Sequence, residues 1–275
     1  GYYWLTDDDI LEVGRDSSGP NWKIQKYRLN SNLIWSQIIT PYLYEQQIFN
    51  VGQNDQGKIF ILGHESDIDP WAGANNLFLH KLDVDGSFEW TFRSPMPDSS
   101  GGFSSWVDLT PDGGLIYQVV VYLHNPEKTL STLNKISASG QLLWSDSISY
   151  NASIYENDQG EVYTLGIKYE PAPLLKRVIF EKRNIFGQLI WSKTIGTNYQ
   201  FPAYPIESEN GDLLINGFTI NDAGFPIQNF FNRYDSSGNL IWERHYSFLS
   251  GAWGSICGMG TPDNGFLVVG QRQSY

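Results

Sequence analysis

Short apolar runs separated by polar turns recur along the whole chain. Typical examples are KIFILG at 58–63, GLIYQVVVYL at 114–123 and GFLVVG at 265–270. Such runs, rich in β-branched and aromatic residues and bounded by Gly, Asn, Asp or Pro, predict β-strands. Several are apolar at successive positions, which is expected when both faces of a sheet are covered. The 3.6-residue spacing of amphipathic helices is missing from the pattern.

A motif ending in tryptophan occurs five times. In four copies a glycine stands four residues before the Trp, and the first copy lacks this glycine and is one residue shorter. The Trp residues are separated by 55, 54, 47 and 51 residues. The copies are YRLNSNLIW at 27–35, KLDVDGSFEW at 81–90, KISASGQLLW at 135–144, KRNIFGQLIW at 182–191 and RYDSSGNLIW at 233–242. We interpret the five Trp side chains as structural core residues.

A second motif, a turn followed by a strand, lies between these copies. Its Asp-Gly and Asn-Gly pairs supply the positive φ that tight hairpins require. It occurs as NDQGKIFILG at 54–63, TPDGGLIYQV at 110–119, NDQGEVYTLG at 157–166, SENGDLLING at 208–217 and TPDNGFLVVG at 261–270. Each repeat therefore predicts a strand, a tight turn, a strand, a longer loop, a strand, a tight turn and a strand.

Four antiparallel strands in each repeat of about 50 residues predict a blade of an all-β β-propeller. We expect one domain over 1–275 with repeats at about 2–40, 46–95, 104–149, 151–196, 204–247 and 255–275. The sixth repeat contains only its first hairpin, so we expect six blades with the last one incomplete. The alternative is a seven-bladed propeller in a longer natural chain.

The copies DVDGSFEW, SASGQLLW, NIFGQLIW and SSGNLIW resemble the tryptophan-docking repeat of PQQ-like β-propellers. They are also similar to the DGGxxxxG and KxDxxGxxxW repeats of secreted and surface-attached bacterial proteins. The resemblance covers residues 2–275 and implies an extracellular or cell-surface location, with the periplasm as the alternative. Two departures argue against bound PQQ. The family's Thr before the turn glycine is absent from every copy, and the single Cys257 cannot form the vicinal disulfide of some quinoprotein dehydrogenases.

The charge and composition of the chain argue against nucleic acid as a partner. The formal net charge is −12 and the sequence pI is about 4.7, without a cluster of Lys and Arg, so nucleic acid is not an expected partner. The longest uncharged apolar run, at 113–123, is shorter than the ~20 residues of a membrane-spanning helix. A protein or a glycan is the expected partner, and the sequence leaves the oligomeric state open.

The long connections of every blade are predicted to share one end of the propeller, opposite the tight turns. Loops of this kind often carry function. They are rich in aromatic residues, which suit the faces of sugars or the anchors of a protein interface. The candidate ligand-binding residues are Tyr44, Trp71, Phe103, Phe201 and Trp253.

Metal binding has one candidate segment, HESDIDPWAGANN at 64–76. Glu65, Asp67 and Asp69 alternate as oxygen donors and could bind Ca²⁺, but the Gly and Glu positions of an EF-hand loop are missing. The four His residues lack the spacing of zinc ligands. We therefore expect no cofactor, with Ca²⁺ as the exception to test.

Catalysis has two candidate residues. Asp108 and Glu207 are predicted to begin corresponding inner strands, and glycosidases require two carboxylates. The sequence favours a non-enzymatic, secreted or surface-exposed module that binds or scaffolds proteins through the long-loop face. A lectin-like, glycan-binding propeller is the first alternative, and a glycoside hydrolase using Asp108 and Glu207 is the second.

Overall fold

A computed structural model describes most of the 275 residues. The described ranges are 2–4, 9–16, 21–40, 45–54, 56–66, 75–94, 100–123, 129–171, 174–197, 200–220, 226–247 and 256–270. These ranges contain 22 β-strands and no helix. They accordingly include no helix long and apolar enough to cross a membrane.

The strands form six consecutive blades. The first blade is β1 (Tyr2–Trp4), β2 (Asp9–Arg15), β3 (Trp22–Arg28) and β4 (Leu33–Ile39). The second is β5 (Glu45–Gln53), β6 (Ile59–Ser66), β7 (Asn75–Leu82) and β8 (Phe88–Ser94). The third is β9 (Ser100–Leu109), β10 (Leu115–Leu123), β11 (Thr129–Ile136) and β12 (Leu142–Ile148).

The remaining blades continue the same order. The fourth blade is β13 (Asn151–Glu156), β14 (Val162–Pro171), β15 (Leu174–Arg183) and β16 (Leu189–Thr197). The fifth is β17 (Gln200–Glu207), β18 (Leu213–Ile220), β19 (Pro226–Tyr234) and β20 (Leu240–Ser247). The sixth contains β21 (Ile256–Gly260) and β22 (Phe266–Gly270) in the described residues.

Each blade is an antiparallel meander, with its strands hydrogen-bonded in chain order. Five of the sheets have four strands, and β21 and β22 form a two-stranded sheet. The prediction of an all-β propeller is therefore confirmed. Because successive connections of a meander alternate between its ends, both tight turns of a blade lie at one end. We call this the tight-turn end, and we call the opposite end the long-loop end.

The hydrophobic core lies between consecutive blades. Four clusters of buried side chains fill the four interfaces from the first blade to the fifth. Phe60 and Leu79 of the second blade, for example, pack with Leu115 and Tyr117 of the third. The first strands of neighbouring blades also approach one another, β9 with β13, β13 with β17, and β17 with β21. Strands covered on both faces explain the continuous apolar runs in the sequence.

The tight turns share one hydrogen-bonding pattern. In the turn between β15 and β16, the amide of Gly187 donates to the carbonyl of Asn184 at 2.9 Å. The side chain of Asn184 accepts from the amides of Phe186 and Gln188, both at 3.0 Å. The glycine has a φ of 78°, which side chains with a Cβ rarely adopt. In the first blade Ser31 takes the glycine's place at a φ of 66°.

The repeated Trp residues join neighbouring blades. The ring of Trp144, at the start of β12, lies against Gly187 in the second tight turn of the fourth blade, and its Nε1 donates to the carbonyl of Ile185 at 3.1 Å. Trp35 and Trp90 make the equivalent contacts with the blades that follow them. Trp191 lies over Gly238 without that hydrogen bond. All four rings are half-buried and are therefore inter-blade contacts rather than centres of the core.

The fifth repeated Trp has a different environment. Trp242 lines a cavity of about 680 Å³ between the fifth and sixth blades, together with Phe231, Tyr246 and Phe266. The guanidinium of Arg244 lies over its ring at 5.1 Å from the centroid. No glycine turn contacts Trp242 within the described ranges.

Candidate functional site

The side chains of the five aromatic residues predicted to bind a ligand all lie outside the described part of the chain. Tyr44, Trp71 and Trp253 lie outside the described residues. Phe103 and Phe201 belong to β9 and β17, but their side chains are not described. The long-loop face therefore stays a prediction.

The predicted calcium segment is described at one of its three acidic residues. Glu65 lies in β6 and is fully buried, and Arg93 Nε donates to its Oε1 at 2.6 Å. This carboxylate neutralises a guanidinium, which is a structural role. Asp67 and Asp69 lie outside the described residues. Where the structure is described, no group of three His, Cys, Asp or Glu side chains could hold a metal ion.

The two candidate catalytic residues lie at the tight-turn end, but their predicted positions were wrong. They stand at the ends of the first strands of their blades, and not at the beginnings. Asp108 pairs with Ile116 and corresponds in register to Tyr155 of the fourth blade. Glu207 is the last residue of β17 and corresponds to Glu156. Because neighbouring residues of a strand point to opposite faces, this offset turns both carboxylates towards the fourth blade from its two sides.

Glu207 has a defined hydrogen-bond environment. The hydroxyl of Tyr155 donates to its Oε2 at 3.0 Å, and Asn157 Nδ2 donates to its Oε1 at 3.2 Å. Asn157 is buried. Burial, together with the negative charges of Glu207, Asp158 and Asp108, raises the pKa of Tyr155, so its hydroxyl keeps the proton that it donates. These two donors hold the Glu207 carboxylate in one orientation.

Asp108 has a different environment. Burial raises its pKa from 3.8 to about 6, and a hydrogen bond from the backbone of Leu109 only partly offsets this effect. Its charge also contributes to the raised pKa values of Tyr155 and Glu156. A carboxyl group that is half protonated near pH 6 can act as a proton donor. The structure thus brings Asp108 and Glu207 to either side of the end of β13, in two different environments.

The raised pKa of Asp108 predicts a pH-dependent stability. The folded state binds this proton more tightly than the unfolded state, so the free energy of unfolding falls as the pH rises from about 4 to about 6. We expect a decrease of about 2 kcal/mol relative to Asp108→Asn, after allowing for partial exposure. Denaturant titrations of both proteins at pH 4, 5 and 6 measure the difference. Parallel curves would contradict the raised pKa.

A second feature of the tight-turn end was not predicted from the sequence. In every Trp-containing blade a basic residue stands nine positions before the Trp and pairs with it across the two outer strands. Four of the five are lysines that are more than nine-tenths buried. Each forms an ion pair: Lys26 with Asp9, Lys81 with Glu89, Lys135 with Glu156, Lys182 with Glu161, and Arg233 with Asp212. The constant spacing of nine positions between the basic residue and the Trp marks these residues in the sequence.

The pair in the third blade differs from the others because it crosses to the next blade. In the fourth and fifth blades the acid follows the glycine of the first tight turn, as Glu161 and Asp212 do. The third blade has Gly114 at this position, where an added Cβ would lie 2.2 Å from the carbonyl oxygen of Ile136. Lys135 Nζ therefore contacts Glu156 Oε1 of the fourth blade at 2.7 Å, with Asp112 at 3.4 Å.

This ion pair forms the floor of an open cavity of about 510 Å³ between the third and fourth blades. We call it the third–fourth groove. Its lining residues are Pro111, Asp112, Lys135, Leu143, Trp144, Glu156, Asn157, Asp158, Gln159, Gly160, Ile185 and Phe186. The described part of the tight-turn end thus combines a carboxylate pair beside β13 with a groove that has apolar walls.

Comparison with known proteins supports the fold. No protein-family model matches the sequence, and neither does any curated protein. Among solved structures, the chain is similar to an apocarotenoid oxygenase from Synechocystis, with 12% identity over 90% of this chain and a TM-score of 0.50. The chain spans 59% of that protein's length.

For two further solved structures, the similarity covers a larger share of the other protein's length. The propeller domain of the trilobed protease from Pyrococcus furiosus has 9% identity over 96% of this chain and 74% of its own, with a TM-score of 0.53. A GH93 α-L-arabinofuranosidase from Fusarium graminearum has 10% identity over 98% of this chain and 90% of its own, with a TM-score of 0.50. At these identities the likeness shows the β-propeller fold alone.

These neighbours require one correction. The sequence analysis predicted that the chain is not an enzyme, and that prediction is contradicted because the oxygenase and the arabinofuranosidase are enzymes. Activity depends on the residues of the site and not on the fold.

Proposed function

We propose that the chain is a glycoside hydrolase whose acid is Asp108 and whose second carboxylate, the base, is Glu207. The observation that carries this proposal is the contrast between their environments. Burial raises the pKa of Asp108 to about 6, while Glu207 accepts hydrogen bonds from Tyr155 and Asn157. Glycosidic bond hydrolysis uses two carboxyl groups, one that donates a proton and one that acts as base or nucleophile.

The proposed reaction uses water as its only co-reactant. Asp108 donates its proton to the glycosidic oxygen as the bond from that oxygen to the anomeric carbon breaks. The oxygen of a water molecule forms the new bond to the anomeric carbon, and Glu207 takes a proton from this water. Asp108 and Glu207 stand on β9 and β17, the first strands of the blades on either side of β13. The reaction needs neither PQQ nor Ca²⁺.

The first substrate class to test comes from the comparison. The Fusarium graminearum neighbour is an α-L-arabinofuranosidase whose structure holds arabinobiose. We therefore propose α-L-arabinofuranosides as the starting point of a panel of aryl glycosides and oligosaccharides. An inverted anomeric configuration of the released sugar, observed by NMR, would support the roles given to the two carboxylates.

Activity measurements on variants test the proposal. We expect Asp108→Asn and Glu207→Gln each to lower kcat by about 10²- to 10⁴-fold. In the wild type, kcat should fall as the pH rises above about 6, because Asp108 then loses its proton. Asp85→Asn, in an exposed turn of the second blade, is the matched control and should keep full activity. No hydrolysis of any glycoside in the panel by the wild type would overturn the proposal.

A second candidate function is protein or glycan binding at the long-loop end. It is favoured by the confirmed meander topology, which brings the long connections to one end. Trp71 and Trp253 are the aromatic residues that we propose for the contact. A glycan array comparing the wild type with Trp71→Ala separates sugar recognition from protein recognition. Unchanged glycan binding by Trp71→Ala would exclude this residue from the surface.

We also propose that the chain belongs with the PQQ-like propellers of secreted or surface-attached bacterial proteins. The support is the contact between the Trp of one blade and the turn glycine of the next, which occurs in four interfaces. Fractionation of the producing cells tests the proposed extracellular or surface location. Recovery in the cytosol alone would contradict it.

A further inference from the structure

The second tight turn of the fourth blade gives the third–fourth groove a wall that is more apolar than the equivalent turns of other blades. Leu143 is 52% exposed, Ile185 47% and Phe186 69%, and Trp144 completes the wall. In the second tight turns of the first, second, third and fifth blades, the residues that correspond to Ile185 and Phe186 are Leu29 and Asn30, Val84 and Asp85, Ala138 and Ser139, and Ser236 and Ser237. Among the second tight turns that the structure describes, that of the fourth blade alone has two large apolar side chains at these positions. Leu143 corresponds to Ile34, Ile190 and Ile241 of other blades, so Ile185 and Phe186 are the part of this wall that the repeat does not account for.

The floor of the groove has unsatisfied hydrogen-bonding capacity. Glu156 is 5% exposed and lines the cavity, and its Oε1 accepts from Lys135 at 2.7 Å. Its other oxygen, Oε2, is buried and has no hydrogen-bond partner. An ionised carboxylate has about four acceptor positions, and leaving a buried oxygen unpaired is costly. A donor supplied by a ligand would remove this cost.

The charge around the floor also favours a cation. Asp112, Asp158 and Glu156 line the groove with a single basic residue, Lys135. Lys135 is shared between Asp112 and Glu156, so the acidic groups exceed the basic ones. Aromatic rings such as those of Trp144 and Phe186 attract cations at their faces and pack against apolar chains.

We propose that the third–fourth groove binds a primary ammonium group that is carried next to an apolar group. A single unpaired carboxylate oxygen suits the compact ammonium of lysine or an alkylamine better than the two-pronged guanidinium of arginine. The ammonium donates to Glu156 Oε2, and the apolar group packs against Ile185 and Phe186. The groove adjoins the proposed hydrolase carboxylates, because Asn157 lines the groove and also donates to Glu207. The inference does not depend on hydrolysis.

Three probes test the chemistry and its source. The peptide Ac-Phe-Lys-Leu-NH₂ carries a lysine between apolar residues, Ac-Phe-Nle-Leu-NH₂ replaces its ammonium by a methyl group, and 2-phenylethylammonium is a free amine. Binding to the full chain is followed by calorimetry and by the NMR signal of the Trp144 indole. We expect the lysine peptide to bind at least tenfold more tightly than the norleucine peptide. Comparable affinity of 2-phenylethylammonium and the lysine peptide would identify small amines as the source, and weaker binding would identify a peptide.

Two variants distinguish the floor from the wall. Glu156→Gln should reduce the preference for lysine over norleucine to about onefold while leaving the norleucine peptide unaffected. Phe186→Ser introduces the residue type of the fifth blade at an exposed position, so it should fold normally and weaken both peptides about fivefold. Asp85→Asn is the control for a general charge effect and should change neither affinity.

Three results would contradict the proposal. Equal binding of the lysine and norleucine peptides to the wild type would overturn the proposal. A lysine preference that persists in Glu156→Gln would also overturn it, because the ammonium would then lie elsewhere. If Glu156→Gln fails to fold, the wild-type preference together with the loss of affinity in Phe186→Ser decides. Affinity unchanged by Phe186→Ser would exclude the groove.

Discussion

Replacing Trp144 by alanine is expected to lower the free energy of unfolding by about 3 kcal/mol. The ring contacts Gly187 of the next blade, and its Nε1 donates to the carbonyl of Ile185 at 3.1 Å. The substitution removes both interactions and opens a cavity at the edge of the interface between the third and fourth blades. Equilibrium denaturation by guanidinium chloride measures the loss.

Trp242→Ala is the matched control for this prediction. Trp242 occupies the same position of its repeat and is also half-buried, but it lines an open cavity and contacts Arg244 instead of a glycine turn. We expect a loss of about 1 kcal/mol, because little packed contact is removed. Equal losses for the two variants would show that docking against the next blade does not determine the stability contributed by these residues.

Gly187→Ala is the second change with a large expected effect, a loss of about 3 kcal/mol or more. Two costs combine. The φ of 78° disfavours any residue with a Cβ by about 1 kcal/mol, and the added Cβ would lie 2.6 Å from Trp144 Cδ2, which forces the ring out of its position. Thermal and denaturant unfolding should therefore show a larger loss than strain alone produces.

Gly211→Ala separates the two costs. Gly211, in the first tight turn of the fifth blade, has a φ of 82°, but the nearest atoms to an added Cβ are 3.9 Å away. This variant should lose only about 1 kcal/mol, from backbone strain. A similar loss in both variants would mean that the ring of Trp144 moves away without cost and that the docking contact is weak.

The fold was predictable because its signals are local and repeated. Asp-Gly and Asn-Gly turns and apolar runs occur at similar positions in each copy, so each repeat could be interpreted independently. The exception is the first copy, which lacks the turn glycine, yet Ser31 adopts the same backbone conformation at a φ of 66°. The turn is kept there by the strands on either side of it, which a single position in the sequence does not reveal.

The candidate site was predictable only in part. Residue type pointed to Asp108 and Glu207, but their register did not follow from the sequence. Asp108 is the residue before the last of β9, whereas Glu207 is the last residue of β17. The basic residues before each Trp were visible at a constant spacing, but their ion pairs were not. Lys135 pairs with Glu156 of the next blade because Gly114 stands where the fourth and fifth blades have an acidic residue.

The sequence by itself determined the order of the strands, the positions of the tight turns and the number of repeated hairpins, because backbone dihedral preferences and the burial of both sheet faces act within each repeat. The tertiary structure decided which groups meet across the blades. The contact of Trp144 with Gly187, the ion pair of Lys135 with Glu156, and the environments of Asp108 and Glu207 join residues of different repeats. Burial and electrostatic interaction depend on the packing of neighbouring blades, so these properties arise only when the blades come together.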